Sequence, residues 1–160
     1  MAFWSSNSAI PLRRYRFKIT GLLKEAWLVK SANLPSFEIS SGQYTILNHQ
    51  AKIAGTLTWN DVTITTVANK STVQSLYQIM KKNGQSLSPP EDSKGVVSVF
   101  SGDLKNKILI ETLDQDGKSV NKFEMMNWFI SSINFGDLDY SDDELLTIEV
   151  TIAYEYANIK

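Results

Sequence analysis

From Leu146 to Tyr156 the chain alternates without a break. Leu146, Ile148, Val150, Ile152, Tyr154 and Tyr156 are apolar, and Thr147, Glu149, Thr151, Ala153 and Glu155 lie between them. A two-residue period puts the first set on one face of an extended strand and the second on the other. A helical period would scatter the same side chains around its axis. The segment therefore demands a sheet with one buried face and one polar, uncrowded face, the pattern of antiparallel structure.

Similar patterns recur upstream. Arg13, Tyr15, Phe17 and Ile19 alternate with Arg14, Arg16 and Lys18, which predicts a first strand with Tyr15 and Phe17 facing the core. A short apolar strand over residues 26–30 is broken at Asn33-Leu34-Pro35, where proline removes a ladder donor and holds Leu34 extended. Residues 37–47 and 55–67 read as a long hairpin with residues 48–54 at its polar tip. In its second arm Leu57 and Trp59 are out of phase with Val62 and Ile64, so a bulge near Asn60-Asp61 would bring all of them to one face. Residues 105–114 and 119–126 flank Gln115-Asp116-Gly117-Lys118, and Asp-Gly is a strong hairpin turn.

One helix is expected, over residues 72–82. Val73, Leu76, Tyr77 and Met80 have helical spacing, Ser71 suits an N-cap, Lys81 and Lys82 favour the C-terminal end, and Asn83-Gly84 is a stop. A polar connector over residues 85–94, with Pro89-Pro90, follows it. No repeat or linker divides the chain, so residues 1–160 form one domain: mainly β, an antiparallel sandwich or partial barrel with one flanking helix.

Composition removes most catalytic chemistry. The 160 residues include 0 Cys and 1 His, so disulfides, thiolate nucleophiles and cysteine-based metal sites are excluded. A net charge of -1 gives no global field to recruit nucleic acid or an acidic membrane. Residues 1–10 lack the basic and apolar regions of a secretory signal, and no run of apolar residues is long enough for a spanning helix.

The remaining polar groups have bland and sharp readings side by side. His49, between Asn48 and Gln50, is an exposed loop residue or a lone base; a set of Ser41, His49 and Asp61 has no nucleophile elbow to frame it. The acidic run over residues 136–144, with Asp137, Asp139, Asp142 and Asp143, resembles a calcium loop in density only. It lacks the sharp-turn glycine and has Ile148 where a closing glutamate belongs, so it reads as a solvated loop or one facing a neighbour's cations. Arg14, Arg16 and Lys18 could track a phosphate backbone, but no stacking aromatic shares their face. Phe3 and Trp4 sit in a polar arm, residues 1–11, where aromatic rings suit docking on a partner. A further alternative is a monomeric β-barrel holding a small ligand among Trp27, Trp59 and Trp128.

Three stretches, in this order and spacing, resemble the tail tube protein of contractile-tailed bacteriophages. They are Lys30-Ser31-Ala32-Asn33-Leu34-Pro35, residues 52–65 from Lys52-Ile53-Ala54-Gly55 to Thr65, and residues 149–156 at the chain's end. Tube proteins of type VI secretion and extracellular injection systems are similar. The resemblance spans residues 13–156 and implies a structural subunit with no cofactor and no active site. It implies six copies to a ring and rings stacked into a hollow tube that conducts DNA when a surrounding sheath contracts. The chain's partners would be its own copies, sheath and baseplate proteins, and DNA in transit, in a virion assembled in the host cytoplasm. The hairpin tip, residues 44–55 with Tyr44, Asn48, His49, Gln50 and Lys52, would reach the adjacent ring, and the helix would lie outside the barrel. Charge complementarity separately suggests that Arg13, Arg14 and Arg16 meet the acidic loop of another copy. Thr147, Glu149, Thr151 and Glu155 are a candidate lumen face, whose weak acidity would not retain phosphates. Phe3 and Trp4 have no counterpart in the resemblance and are expected at a subunit interface.

Overall fold

The computed structural model describes residues 11–82 and 107–160. The arm with Phe3 and Trp4, the helix stop at Asn83-Gly84 and the connector over residues 85–94 lie outside them. In chain order the elements are β1 (Phe17–Thr20), β2 (Val29–Ala32), β3 (Ser36–Ile46), β4 (His49–Asn60), β5 (Val62–Val67), α1 (Lys70–Lys82), β6 (Lys107–Leu113), β7 (Ser119–Met126), β8 (Phe129–Asn134), β9 (Thr147–Ala153) and β10 (Tyr156–Ile159). They form two four-stranded sheets, ordered β1-β6-β7-β10 and β2-β5-β9-β8, and a separate β3-β4 ribbon. Every pairing is antiparallel.

The two larger sheets close on one core. Ile19, Ile108, Ile110 and Met125 come from the first, and Val62, Ile64, Ile148, Val150 and Ile152 from the second. The predicted alternation of the last strand holds here, since Ile148, Val150 and Ile152 are fully buried. It does not continue to Tyr156, which is exposed. The chain leaves one sheet after Ala153 and joins the other at Tyr156. A second link, from β7 to β8, runs beside this one. The Glu155 N–H donates to the Met126 carbonyl at 3.2 Å, and Asn127, at φ 51, donates its side-chain amide to the Glu155 carboxylate.

Several expectations are corrected by pairing partners that a local pattern does not reveal. Residues 55–67 are not one strand with a bulge at Asn60-Asp61: the chain changes sheets at Asp61, β4 pairing with β3 and β5 with β2 and β9. Val62 and Ile64 are buried while Leu57 is exposed. Residues 13–16 do not extend the first strand, because the Arg16 N–H donates to the Arg13 carbonyl at 3.1 Å and closes a turn. Tyr15 is therefore exposed, and only Phe17 packs against the core. Residues 26–28 form a 3-10 turn, not a strand.

The helix begins at Lys70 and is capped by Asn69, not Ser71. Asn69 Oδ1 accepts the Thr72 N–H at 2.7 Å and the Ser71 hydroxyl at 3.0 Å. Its buried face is Thr72 and Leu76, with Ile79 and Met80 alongside; Val73 and Tyr77 of the expected stripe are exposed. Thr66 is buried in the core and donates its hydroxyl to the Leu28 carbonyl at 3.1 Å, which ties the 3-10 turn to β5. The Asp116-Gly117 turn is as expected, with Gly117 at φ 74 and the Asp114 N–H donating to the Lys118 carbonyl at 2.8 Å.

Candidate assembly surfaces

The β3-β4 ribbon stands away from the core, and no residue in either strand is buried. Its root is held by aromatic packing. Phe37 meets Trp59 edge-on with ring centroids 5.2 Å apart, and Trp59 meets Tyr154 at 5.9 Å. Burial holds the Tyr154 phenol above its ordinary pKa. The predicted polar tip is shorter than expected, because strand pairing continues to Ile46 opposite His49, leaving Leu47 and Asn48 as the turn. Leu47 takes φ 52 and is 93% exposed.

One irregularity divides the ribbon. Ile39 pairs with Leu57, but Ser41 pairs with Ala54, so Gly55 and Thr56 stand opposite Ser40 alone. The extra residue turns Ile53 of β4 away from the face of Leu57 and Trp59, and in β3 the apolar positions pass from odd, Phe37 and Ile39, to even, Tyr44 and Ile46, on the same opposite face. Near the root, Phe37, Ile39, Leu57 and Trp59 share one face. Beyond the bulge, that face carries Ser41, Gln43, Lys52 and Gln50, while Tyr44, Ile46 and Ile53 occupy the opposite one with His49. The ribbon thus presents an apolar patch on each face, at different distances from the body. Of the expected tip residues, Tyr44 and His49 share the distal apolar face, Gln50 and Lys52 lie on the polar one, and Asn48 is in the turn.

The outer face of the β2-β5-β9-β8 sheet is mostly small hydroxylated side chains, bounded by Val67 at one end and by Phe129 opposite Ala153 at the other. Thr63 pairs with Thr151, Thr65 with Glu149, and Val67 with Thr147; Ser132 and Asn134 continue the rows on β8. Thr147, Glu149 and Thr151 therefore lie together. Glu155 lies apart, in the β9–β10 link beside Asn127. The outer face of the other sheet is a charged ladder, with Lys122 3.5 Å from Glu111, and Lys160 3.0 Å and Lys107 4.0 Å from Glu124.

Arg13, Arg14 and Arg16 line a cleft of about 400 Å³ together with Leu12, Phe17, Ala32, Leu34 and Ile110. Among the described residues none of these guanidinium groups is in a salt bridge; Arg16 lies 5.4 Å from the centre of the Tyr15 ring. The acidic residues form a structured loop. Asp139 accepts the Ser141 N–H at 2.9 Å and its hydroxyl at 2.8 Å, which holds the Asp139 carboxyl below its ordinary pKa. Among the described residues, no three His, Asp or Glu side chains gather closely enough to hold a metal ion. His49, Ser41 and Asp61 are spread along the ribbon from its tip to its root. Trp27 is exposed, Trp59 belongs to the ribbon root and Trp128 is buried, and neither the arginine cleft nor the smaller one beside α1 is lined by any of the three.

The model of the T4-like virus tail tube protein gp19 family matches residues 23–158. The chain belongs to this family. The match contains every strand but β1 and the last residue of β10, together with the whole protruding ribbon. Comparison with curated proteins finds no match.

Solved structures share the tail tube fold at low sequence identity. A chain in the anti-feeding prophage tube-terminating cap is 18% identical, with TM-score 0.73, over 100% of this chain and 99% of that one. A chain in the extended sheath-tube complex of the PVC extracellular contractile injection system is 14% identical, with TM-score 0.73, over 100% and 98%. Hcp1 from Flavobacterium johnsoniae is 9% identical, with TM-score 0.50, over 91% and 94%. The ribbon bulge, the left-handed Leu47 and the arginine cleft are features of this tail tube chain that its linear pattern concealed. The cleft gathers side chains from β1, β2 and β6, which only the fold brings together.

Proposed function

We propose that this chain is the repeating structural subunit of a contractile particle's inner tube, with six copies closing a ring and rings stacking through the β3-β4 ribbon. The observation that carries this reading is the ribbon itself. A lone molecule would expose Ile39, Tyr44, Ile46, Ile53 and Leu57 on strands of 11 and 12 residues in which no residue is buried, and Leu47 in the turn between them. Among the described residues the edges β1, β10, β2 and β8 are likewise open to a neighbouring strand, and pairing between copies is how a ring protects such edges.

In this reading the threonine-rich face with Thr147, Glu149 and Thr151 turns to the lumen, and α1 turns outward toward a sheath. Small hydroxylated side chains with little charge give passing DNA no row of cations to hold it. The residues around Tyr44, Asn48, His49, Gln50 and Lys52 make the axial contact with the next ring. Sheath and baseplate proteins cover the outside and one end, and the assembled particle is the site of action after assembly in a host cytoplasm. The role requires no reaction and no cofactor.

Electron microscopy of the purified full chain over a concentration series tests the proposal. Rings with sixfold averages, growing to stacked tubes with a continuous lumen, are expected. A dispersed monomer at every concentration, with or without a contracted-sheath partner, would sink it.

A further inference from the structure

The sandwich has two lateral sides, and they carry complementary surfaces. The arginine cleft joins β1 and β2, the edge strands at one end of the two strand orders, and β10 and β8 are the edges at the other end. The arginine cleft opens on the first side, floored by Phe17, Leu34 and Ile110. The loop between β8 and β9, residues 135–146, leaves from the second.

That loop is built to display two apolar side chains. Its base is fixed at Gly136, whose φ of 78 and closeness to the Thr147 carbonyl leave no room for a Cβ, and whose N–H donates to Asn134 Oδ1 at 3.0 Å. Its acidic turns are made by Asp139 on Ser141 and by Asp142, which accepts the Glu144 N–H at 3.0 Å. Leu138 is 88% exposed and Tyr140 is 112% exposed, so neither side chain is spent on packing against the described body. Such side chains, flanked by Asp137, Asp139, Asp142 and Asp143, have the chemistry of the cleft in mirror form: apolar centre, charged rim, opposite sign.

We propose that the β8–β9 loop of one copy docks in the arginine-rimmed cleft of the next, with Leu138 and Tyr140 entering the cleft and the aspartates meeting Arg13, Arg14 and Arg16. The inference rests on the ring-forming reading above and names the contact that closes the ring. Because loop and cleft lie on opposite sides of one body, the contact is head-to-tail. Repeated by a rotation that closes after a whole number of copies, such a contact gives a ring.

The absence of native cysteine makes the test direct. Two single variants of the full chain, Tyr140→Cys and Leu34→Cys, are checked for folding by circular dichroism, mixed, allowed to assemble, and oxidised. A disulfide-linked heterodimer is expected from the mixture, with neither variant alone giving a comparable homodimer. Combining both substitutions in one chain should give a ladder ending at the ring. Rings visible by microscopy but no heterodimer would overturn the docking while leaving the ring intact. Absence of rings from the unmodified chain would overturn both. An intramolecular occupant, residues 1–10 or 83–106 in their own cleft, would appear as failure of the Leu34→Cys variant to react with maleimide as a dilute monomer, and would also overturn it. As a second measurement, Asp142→Lys with Asp143→Lys should raise the concentration needed for tubes about tenfold at low salt, as expected when close interfacial charge pairs are reversed. Adding Arg13→Glu and Arg16→Glu should restore most of that loss; unchanged assembly by the reversed-loop variant argues against the contact.

Discussion

The Thr56 backbone N–H donates to the Ser40 hydroxyl at 2.8 Å, and this bond marks the place where the ribbon's apolar side chains change face. Gly55 packs so closely there that a Cβ would collide with Ser40 Oγ and stand 3.0 Å from the Ser40 carbonyl oxygen. Gly55→Ala should therefore displace the Ser40 side chain, break its bond to Thr56 and cost the ribbon about 1–3 kcal/mol in strain. Hydrogen exchange should show faster exchange across β3 and β4 with little change in the body, and tube yield should fall. Ser40→Ala, which loses the bond without the collision, should cost about 0.5–1.5 kcal/mol and keep the bulge.

Leu47 holds a left-handed backbone conformation that leucine adopts at a cost of about 1–2 kcal/mol relative to glycine. Leu47→Gly should relieve most of that strain and leave the thermal midpoint of the dispersed chain equal or higher. If the exposed leucine is buried between stacked rings, the same variant should need more protein to form tubes. A rise in both stability and tube yield would remove Leu47 from the axial contact.

Leu76 is the helix residue most completely inserted in the core. Leu76→Ala should destabilise the chain by about 2–5 kcal/mol, read as a lower denaturant midpoint. Tyr77→Ala, one position along on the exposed face, should change stability by less than about 1 kcal/mol. Equal effects from the two would mean that the helix is rotated from the orientation described.

Glu124 has its pKa lowered by the hydrogen bond from Lys160, with Lys160, Lys107 and Lys122 adding favourable charge. A carboxyl whose folded pKa lies below its unfolded value binds fewer protons in the folded state. Its stabilising contribution is complete above the unfolded value, about 4.3, and is lost as pH falls through the folded value. Thermal midpoints measured from about pH 6 to about pH 3 should therefore fall, with protection at the β7-β10 pairing falling early. Glu124→Gln should flatten part of that dependence, and an unchanged pH profile would show that the lysine cluster contributes nothing measurable.

Local chemistry made part of this fold legible. The alternation around Ile148, Val150 and Ile152 and the Asp116-Gly117 turn depend on neighbours in sequence, and both stand where the pattern puts them. Asp61 shows the opposite case. Nothing in the run from Leu57 to Ile64 distinguishes a bulged strand from two strands in different sheets, because that choice is made by β2, β3 and β9. Arg13 to Arg16 satisfy an alternating pattern and still close a turn. Asn69 and Ser71 are both good caps, and the helix uses the one that lets Thr72 and Leu76 face inward. The same division holds for the assembly surfaces: the hairpin and the charged segments are visible as sequence, whereas the cleft and the change of apolar face require register and packing.

The Gly55 bulge also limits how this ribbon could change its length. Each pair of residues adds about 3.4 Å of reach, but also turns every side chain beyond it to the other face. Deleting one residue from each strand between the bulge and Tyr44 would aim Tyr44, Ile46 and Ile53 where Gln43 and Lys52 now point. Deleting two from each would shorten the ribbon and preserve its facing. Viable insertions and deletions in this arm should thus come in even steps of about 7 Å, so the ribbon's reach changes in increments and not as a continuous variable.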